Sequence, residues 1–157
     1  MELVIRPDTE AACNLVAAII AKAVREKPDL VLGLATGRTM ERLYARLAAM
    51  HRDEGLDFSR CRTFNLDEYI GLPVEHPGSY RYYMNRHLFN HINIDPANTF
   101  LPDGMAADIK VGCAAYEKKI VESGGIDLQL LGIGADGHIG FNEPLSGLKS
   151  RTRDKTL

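Results

Sequence analysis

The sequence predicts an α/β fold, a mainly parallel sheet with helices on both faces. Three observations predict it. Short apolar runs alternate with longer segments whose apolar residues recur at helical spacing. One run, Leu30–Leu34, is apolar without alternation, the habit of a parallel strand covered on both sides. That run leads into a Thr/Gly turn that opens a helix. The 157 residues are enough for one domain with a substantial core, and they contain no internal repeat, low-complexity tract or interdomain linker.

In chain order, Leu3–Ile5 reads as a first strand before Pro7. Asp8 is placed to cap a helix running to about Glu26, with Ala12, Leu15, Val16, Ile19, Ile20 and Ala23 on its apolar side and Pro28 as its stop. The Leu30–Leu34 strand is followed by Ala35-Thr36-Gly37-Arg38-Thr39. A helix comes next, carrying Met40, Leu43, Tyr44, Leu47 and Met50 on one face. Arg62–Leu66 is the next strand, ending in Asp67-Glu68-Tyr69. Ser79 can cap a helix with Tyr80, Tyr83, Met84 and Leu88 on its apolar side. Asn93–Asp103 is a loop or short strand. Asp108 opens a helix with Ile109, Cys113, Tyr116 and Ile120 inward, and Gly124-Gly125 ends it. Ile126–Ile133 is expected to be a strand, buried where it enters Leu130–Asn142.

Composition excludes several classes. Hydrophobic residues make up 45% and charged residues 25%, an ordinary globular balance. The net charge of -2 gives no general attraction to nucleic acid or to an anionic membrane surface, so an anionic ligand must be caught locally. No apolar run is long enough to span a bilayer, and Met1–Pro7 lacks the plan of a signal peptide. Cys13, Cys61 and Cys113 are odd in number and lack metal-ligand spacing, which reads as reduced core cysteines in a cytosolic protein.

The chemistry concentrates in Leu130–Asn142. Gly132, Gly134, Gly137 and Gly140 surround Asp136 and His138, and Glu143 follows directly. Glycine at that density marks close approach of another group or unusual backbone. An acid, a histidine and a second acid among those glycines suit proton transfer, although a polar turn with a surface histidine is the plainer reading of the stretch alone. Thr36-Gly37-Arg38-Thr39, between a strand and a helix, fits an anion site built on orphan N–H groups and the helix dipole. Thr39 as a simple N-cap is the competing reading. Asp67 and Glu68 stand at a strand's carboxyl end, where open α/β sheets bind ligands; Glu68 reads as solvated. His87 and His91, four apart on one helix, lack the acid of the zinc-enzyme pattern and read as surface residues. No Gly-x-Ser-x-Gly nucleophile elbow is present.

Several blocks occur in one order: Gly33-Leu34-Ala35-Thr36-Gly37, Phe64-Asn65-Leu66-Asp67-Glu68-Tyr69, Gly71-Leu72-Pro73, His76-Pro77-Gly78-Ser79-Tyr80, the run from Gly134 to Pro144, and Ser150-Arg151-Thr152-Arg153. In these blocks the chain resembles the isomerising glucosamine-6-phosphate deaminases, from end to end. The glycine–aspartate–histidine signal alone would fit the related 6-phosphogluconolactonases. Phe141-Asn142-Glu143-Pro144 and the Asn65–Tyr69 block favour the deaminases.

The resemblance implies a modified Rossmann-like three-layer fold, and conversion of glucosamine 6-phosphate and water to fructose 6-phosphate and ammonia without metal or organic cofactor. By motif position it makes Asp67 the base that moves a proton from sugar C2 to C1. It makes His138 the group that assists ring opening, and Asp136 and Glu143 the carboxylates that orient that histidine. Thr36, Gly37, Arg38 and Thr39 would hold the sugar phosphate; Arg38 replaces a residue that is small in many members. Ser146, Arg153 and Lys155, in a segment that also holds Arg151, match best the site for an N-acetylglucosamine 6-phosphate activator in hexameric members, which makes a homo-oligomer plausible. No nucleic-acid or membrane partner is expected. The chain stops at Leu157 where family members continue, so it reads as the N-terminal part of a longer domain. The alternatives are a galactosamine-6-phosphate deaminase, a lactonase, or an inactive sugar-phosphate-binding fragment.

Overall fold

The computed structural model describes residues 2–143, 146–147 and 149–156. Pro144, the last residue of the long sequence block, lies outside them. Four parallel strands form one sheet: β1 Val31–Leu34, β2 Arg62–Asn65, β3 Thr99–Phe100 and β4 Leu128–Gln129, in the order β3-β2-β1-β4. Val31 pairs with Arg62 and Leu34 with Asn65, so the two central strands end level with each other. Among the described residues, α1 Thr9–Glu26 precedes β1, and three helices connect the strands: α2 Arg38–Glu54, α3 Tyr80–His87 and α4 Ile109–Glu122.

The layers follow from which side chains each strand turns to each face. Leu32 and Leu34 of β1 join a core built with Ala17 and Ile20 of α1, Leu43, Tyr44 and Leu47 of α2, and Met84 of α3. Val31 and Phe64 point the other way and pack on Tyr116 of α4. The result is the three-layer α/β arrangement expected from the sequence. β1 is buried at all four positions, as its unbroken apolar run requires.

Local signals placed most helices. Asp8, Ser79 and Asp108 each cap a helix by accepting from the backbone N–H three residues on. The apolar stripe of α2 is buried as spaced, and the fully buried Tyr44 hydroxyl donates to the Ala35 carbonyl, pinning the turn after β1 to the helix. Burial pushes the Tyr44 phenol far up, so it stays neutral.

Five expectations are corrected. Leu3–Ile5 forms no strand; Leu3 and Ile5 are each 82% exposed, with no sheet edge beside them among the described residues. In α1 the buried stripe is Cys13, Ala17, Ile20, Ala21 and Val24, while Ile19 faces outward; the small side chains let α2 approach closely. His91 lies beyond α3 in a separate 3-10 turn, Phe89–His91, so it does not share the helix with His87. β4 stops at Gln129, and one further bond, from Leu130 N–H to the Gly33 carbonyl, ends its attachment. The run beyond is not buried: Leu131 is 46% and Ile133 78% exposed, because β4 pairs with β1 alone and nothing covers its outer side among the described residues. No helix among the described residues is long and apolar enough to cross a membrane.

Candidate active site

The carboxyl ends of β1, β2 and β4 bring three loops together. The first leaves β1 as Ala35–Gly37 and opens α2. Gly37 occupies the N-cap position with no side-chain hydrogen bond, so Thr39 is a residue of the helix and not its cap. The uncapped end leaves the first N–H groups and the positive end of the helix dipole available to an anion. Thr36 is half-buried; Gly37, Arg38 and Thr39 are exposed. The Tyr83 hydroxyl donates to the Gly37 carbonyl at 2.8 Å and fixes the turn from α3.

The second loop carries Asp67, partly buried after β2. Desolvation pushes its carboxyl up to about 6; the adjacent Glu68 carboxylate adds to the rise, and the Phe141 backbone N–H opposes it. Glu68 is not simply solvated. Its carboxylate accepts from the backbone N–H groups of Tyr69, Tyr80 and Arg81 at 2.8, 2.8 and 2.9 Å, so it sits on the N-terminus of α3.

The third loop is the glycine-rich stretch. It is tightly folded: Gly134 N–H donates to the His138 carbonyl and Gly137 N–H to the Gly134 carbonyl. The His138 ring lies against Gly134 so closely that a Cβ there would come within 2.4–2.8 Å of three ring atoms, and only glycine leaves that space. Nδ1 of His138 is 2.5 Å from Asp136 Oδ1 and 3.9 Å from Glu143 Oε1. Asp136 is held below the ordinary carboxylate range, first by that side-chain bond and next by the His138 backbone N–H. An ionised Asp136 only accepts, so the bond puts the imidazole proton on Nδ1 and leaves Nε2 as the free basic position.

Asp67, His138, Glu143 and the Thr36–Thr39 turn line one cavity of about 600 Å³; Asp136 stands behind His138, off its wall. A second cavity, about 530 Å³, lies on the α4 side and shares Asp67, Gly140 and Phe141 with the first. Its wall includes Arg151, Arg153 and Lys155. Glu117 of α4 accepts from the Thr152 N–H and hydroxyl and from Arg151, and this tethers the basic segment. Both Arg153 terminal nitrogens donate to Asn142 Oδ1 at 3.2 Å, while Asn142 Nδ2 donates to the Ile139 carbonyl. Ser146 lies on neither cavity wall, although its N–H donates to the Glu143 carbonyl. Two of the residues grouped as an activator site therefore line the second cavity, and the third does not.

Sequence reasoning missed Tyr80 as a wall residue. Its ring packs with Tyr69 and Phe141 at centroid distances of 5.0 to 5.6 Å, closing an aromatic cluster beside Asp67. Three tyrosines on one helix gave only a packing signal; the adjacent Ser79 cap was the available clue, since it points the first helical turn at the site. Asp136, His138 and Glu143 each offer a ligand atom, all within 4.8 Å of one another. Such a donor set could take a divalent cation, but Nδ1 is already engaged by Asp136, which suits an oriented general acid–base.

The family described as glucosamine-6-phosphate isomerases/6-phosphogluconolactonase matches residues 8–140. The chain is 54% identical over 157 residues to a glucosamine-6-phosphate deaminase of Cellvibrio japonicus, covering 100% of this chain and 60% of that protein. The same figures hold for the deaminase of Shewanella halifaxensis. The chain thus spans about 60% of the length of these curated relatives. A solved structure described as a monomeric glucosamine-6-phosphate deaminase superposes with a TM-score of 0.95 at 46% identity, covering 98% of this chain and 64% of the other. A 6-phosphogluconolactonase from Thermotoga maritima superposes with a TM-score of 0.75 at 24% identity, covering 96% and 67%, a likeness of fold.

Proposed function

The chain belongs to the family of glucosamine-6-phosphate isomerases and 6-phosphogluconolactonases, and on that premise we propose that it is a glucosamine-6-phosphate deaminase or the matching part of one. It converts glucosamine 6-phosphate and water to fructose 6-phosphate and ammonia. The observation that carries this reading is the grouping of Asp67, His138 and Glu143 with the uncapped α2 N-terminus around one cavity.

The chemistry divides among these residues. The sugar phosphate lies at Thr36–Thr39, where backbone N–H groups, the helix dipole and the exposed Arg38 favour an anion. Nε2 of His138 handles the proton of the ring oxygen during opening, with Asp136 fixing the tautomer and Glu143 facing the same ring from 3.9 Å. Asp67 then takes the C2 proton and returns it at C1. A carboxylate titrating at about 6 is a stronger base than an ordinary aspartate and is still mostly ionised near neutral pH. None of these steps calls on a metal or organic cofactor.

The identity to named deaminases over the whole chain supports this substrate, whereas the lactonase reading has the shared family and likeness of fold behind it. The 157 residues form one α/β sugar-phosphate domain, or the first part of a longer one. Arg153 and Lys155 on the second cavity, with Ser146 nearby in sequence, support an anionic activator such as N-acetylglucosamine 6-phosphate. That site and a homo-oligomer are inferences from family resemblance, and the solved relative is described as monomeric. Three free cysteines support a reducing, cytoplasmic setting. Ammonia release measured with glucosamine 6-phosphate and galactosamine 6-phosphate, beside hydrolysis of 6-phosphogluconolactone, tests the reading. Release from the glucosamine sugar is expected; lactone hydrolysis without ammonia release overturns it.

A further inference from the structure

Asp67 and Glu68 are adjacent carboxylates with opposite surroundings. The first turn of α3 presents its orphan N–H groups to the loop that carries both. Tyr80 and Arg81 donate to Glu68, and Tyr82 donates to the Ser79 side chain. Glu68 also takes the Tyr69 N–H. The donors of this helix end are therefore spent, and none goes to Asp67. The groups that bear on Asp67 are the Phe141 N–H, the Glu68 carboxylate, and the hydroxyls of Tyr80 from α3 and Tyr116 from α4; Arg81 lies toward Glu68.

We infer that Glu68 is a positioning residue for Asp67: it occupies the α3 N-terminus, fixes the loop after β2 at that helix, and withholds the helix donors from its neighbour. A carboxylate that receives several backbone N–H bonds is stabilised as the anion and becomes a poor base. By taking that role itself, Glu68 leaves Asp67 desolvated and beside a like charge. Two neighbouring acids thereby take different places, one bonded to the helix end and one facing the cavity as a proton acceptor. The inference rests on the reading of Asp67 as the base.

Carbon-13 NMR titration of the Asp67 carboxyl tests it, in the 157-residue chain and in its Glu68→Gln and Glu68→Ala variants. The wild-type midpoint is expected at about 6. Glu68→Gln keeps an acceptor on the helix and removes the charge, so the midpoint falls. Glu68→Ala also frees the Tyr80 and Arg81 N–H groups, so the midpoint falls further, toward the ordinary carboxylate range. The isosteric glutamine keeps the test valid if the alanine variant fails to fold. A midpoint unmoved in Glu68→Gln overturns the inference. The acid limb of C2-proton exchange, measured in the same variants, separates the two claims. If the Asp67 midpoint falls and that limb stays, Glu68 positions Asp67 as inferred and the assignment of Asp67 as the base is what fails.

Discussion

A Cβ placed on Gly140 would stand 3.0 Å from Asp67 Oδ2. The glycine-rich loop after β4 thus touches the acid after β2, and the two walls of the candidate site are held in register by the absence of a side chain. Gly140 also has φ of 60°, a left-handed backbone that side chains disfavour. Gly140→Ala is expected to destabilise the fold by roughly 1–2 kcal/mol, read as a lower urea midpoint at unchanged slope. It also displaces Asp67, so activity falls by more than the loss of folded protein explains.

With Asp67 as the proposed base, its raised carboxyl sets the acid limb of activity. Since the base must be ionised, kcat/KM is expected to fall as pH drops through about 6, about two units above an ordinary aspartate. A limb near pH 4 in a steady-state pH profile contradicts the buried environment described for Asp67.

The same shift has a stability sign. The folded-state value lies above the unfolded one, so the stabilising effect of protonated Asp67 is full below about pH 4 and is lost as pH rises through about 6. Removing the ionisable group should therefore stabilise the protein at about pH 8 by roughly 2 kcal/mol, the full shift being discounted for partial exposure. Asp67→Asn is expected to raise Tm at that pH and to leave it nearly unchanged at about pH 4.

Much of this arrangement was legible in the sequence, and the reasons differ by element. The Asp8, Ser79 and Asp108 caps and the Met40–Met50 stripe are local signals, complete within one turn or one helix face. That Asp67, His138, Glu143 and the Thr36–Thr39 turn would share one cavity was legible through the order of their blocks. What sequence could not carry depends on contacts between distant segments. Glu68 looks solvated until α3, which begins twelve residues later, turns its N-terminus onto it. Leu3–Ile5 and Leu131–Ile133 have strand composition, but a strand needs a neighbour, and neither pairs with one among the described residues. The displaced stripe of α1 reflects helix–helix contact, which favoured Ala17 and Ala21 over the larger Ile19.

Arg153 holds Asn142, the residue before Glu143, through both terminal nitrogens. Loss of that clamp in Arg153→Gln should loosen the loop that carries His138 and Glu143. An exposed charged hydrogen bond of this kind is worth roughly 0.5–1 kcal/mol, a two- to fivefold fall in kcat with KM less affected. Steady-state kinetics beside the wild type measure that split.

The close grouping of Asp136, His138 and Glu143 suits an oriented acid–base and also offers a cation donor set, and metal removal separates the two. Dialysis against a chelator should leave ammonia release unchanged, because Nδ1 is engaged by Asp136 and the proposed chemistry uses Nε2. Loss of activity that added divalent cation restores would assign the cluster to a metal.

The central claim is that Asp67 moves the proton between sugar C2 and C1. Exchange of the C2 proton of glucosamine 6-phosphate with D2O measures that step directly. In Asp67→Asn the exchange rate should fall by about 10²–10⁴-fold while the sugar phosphate still binds. Exchange near the wild-type rate in that variant would contradict the account.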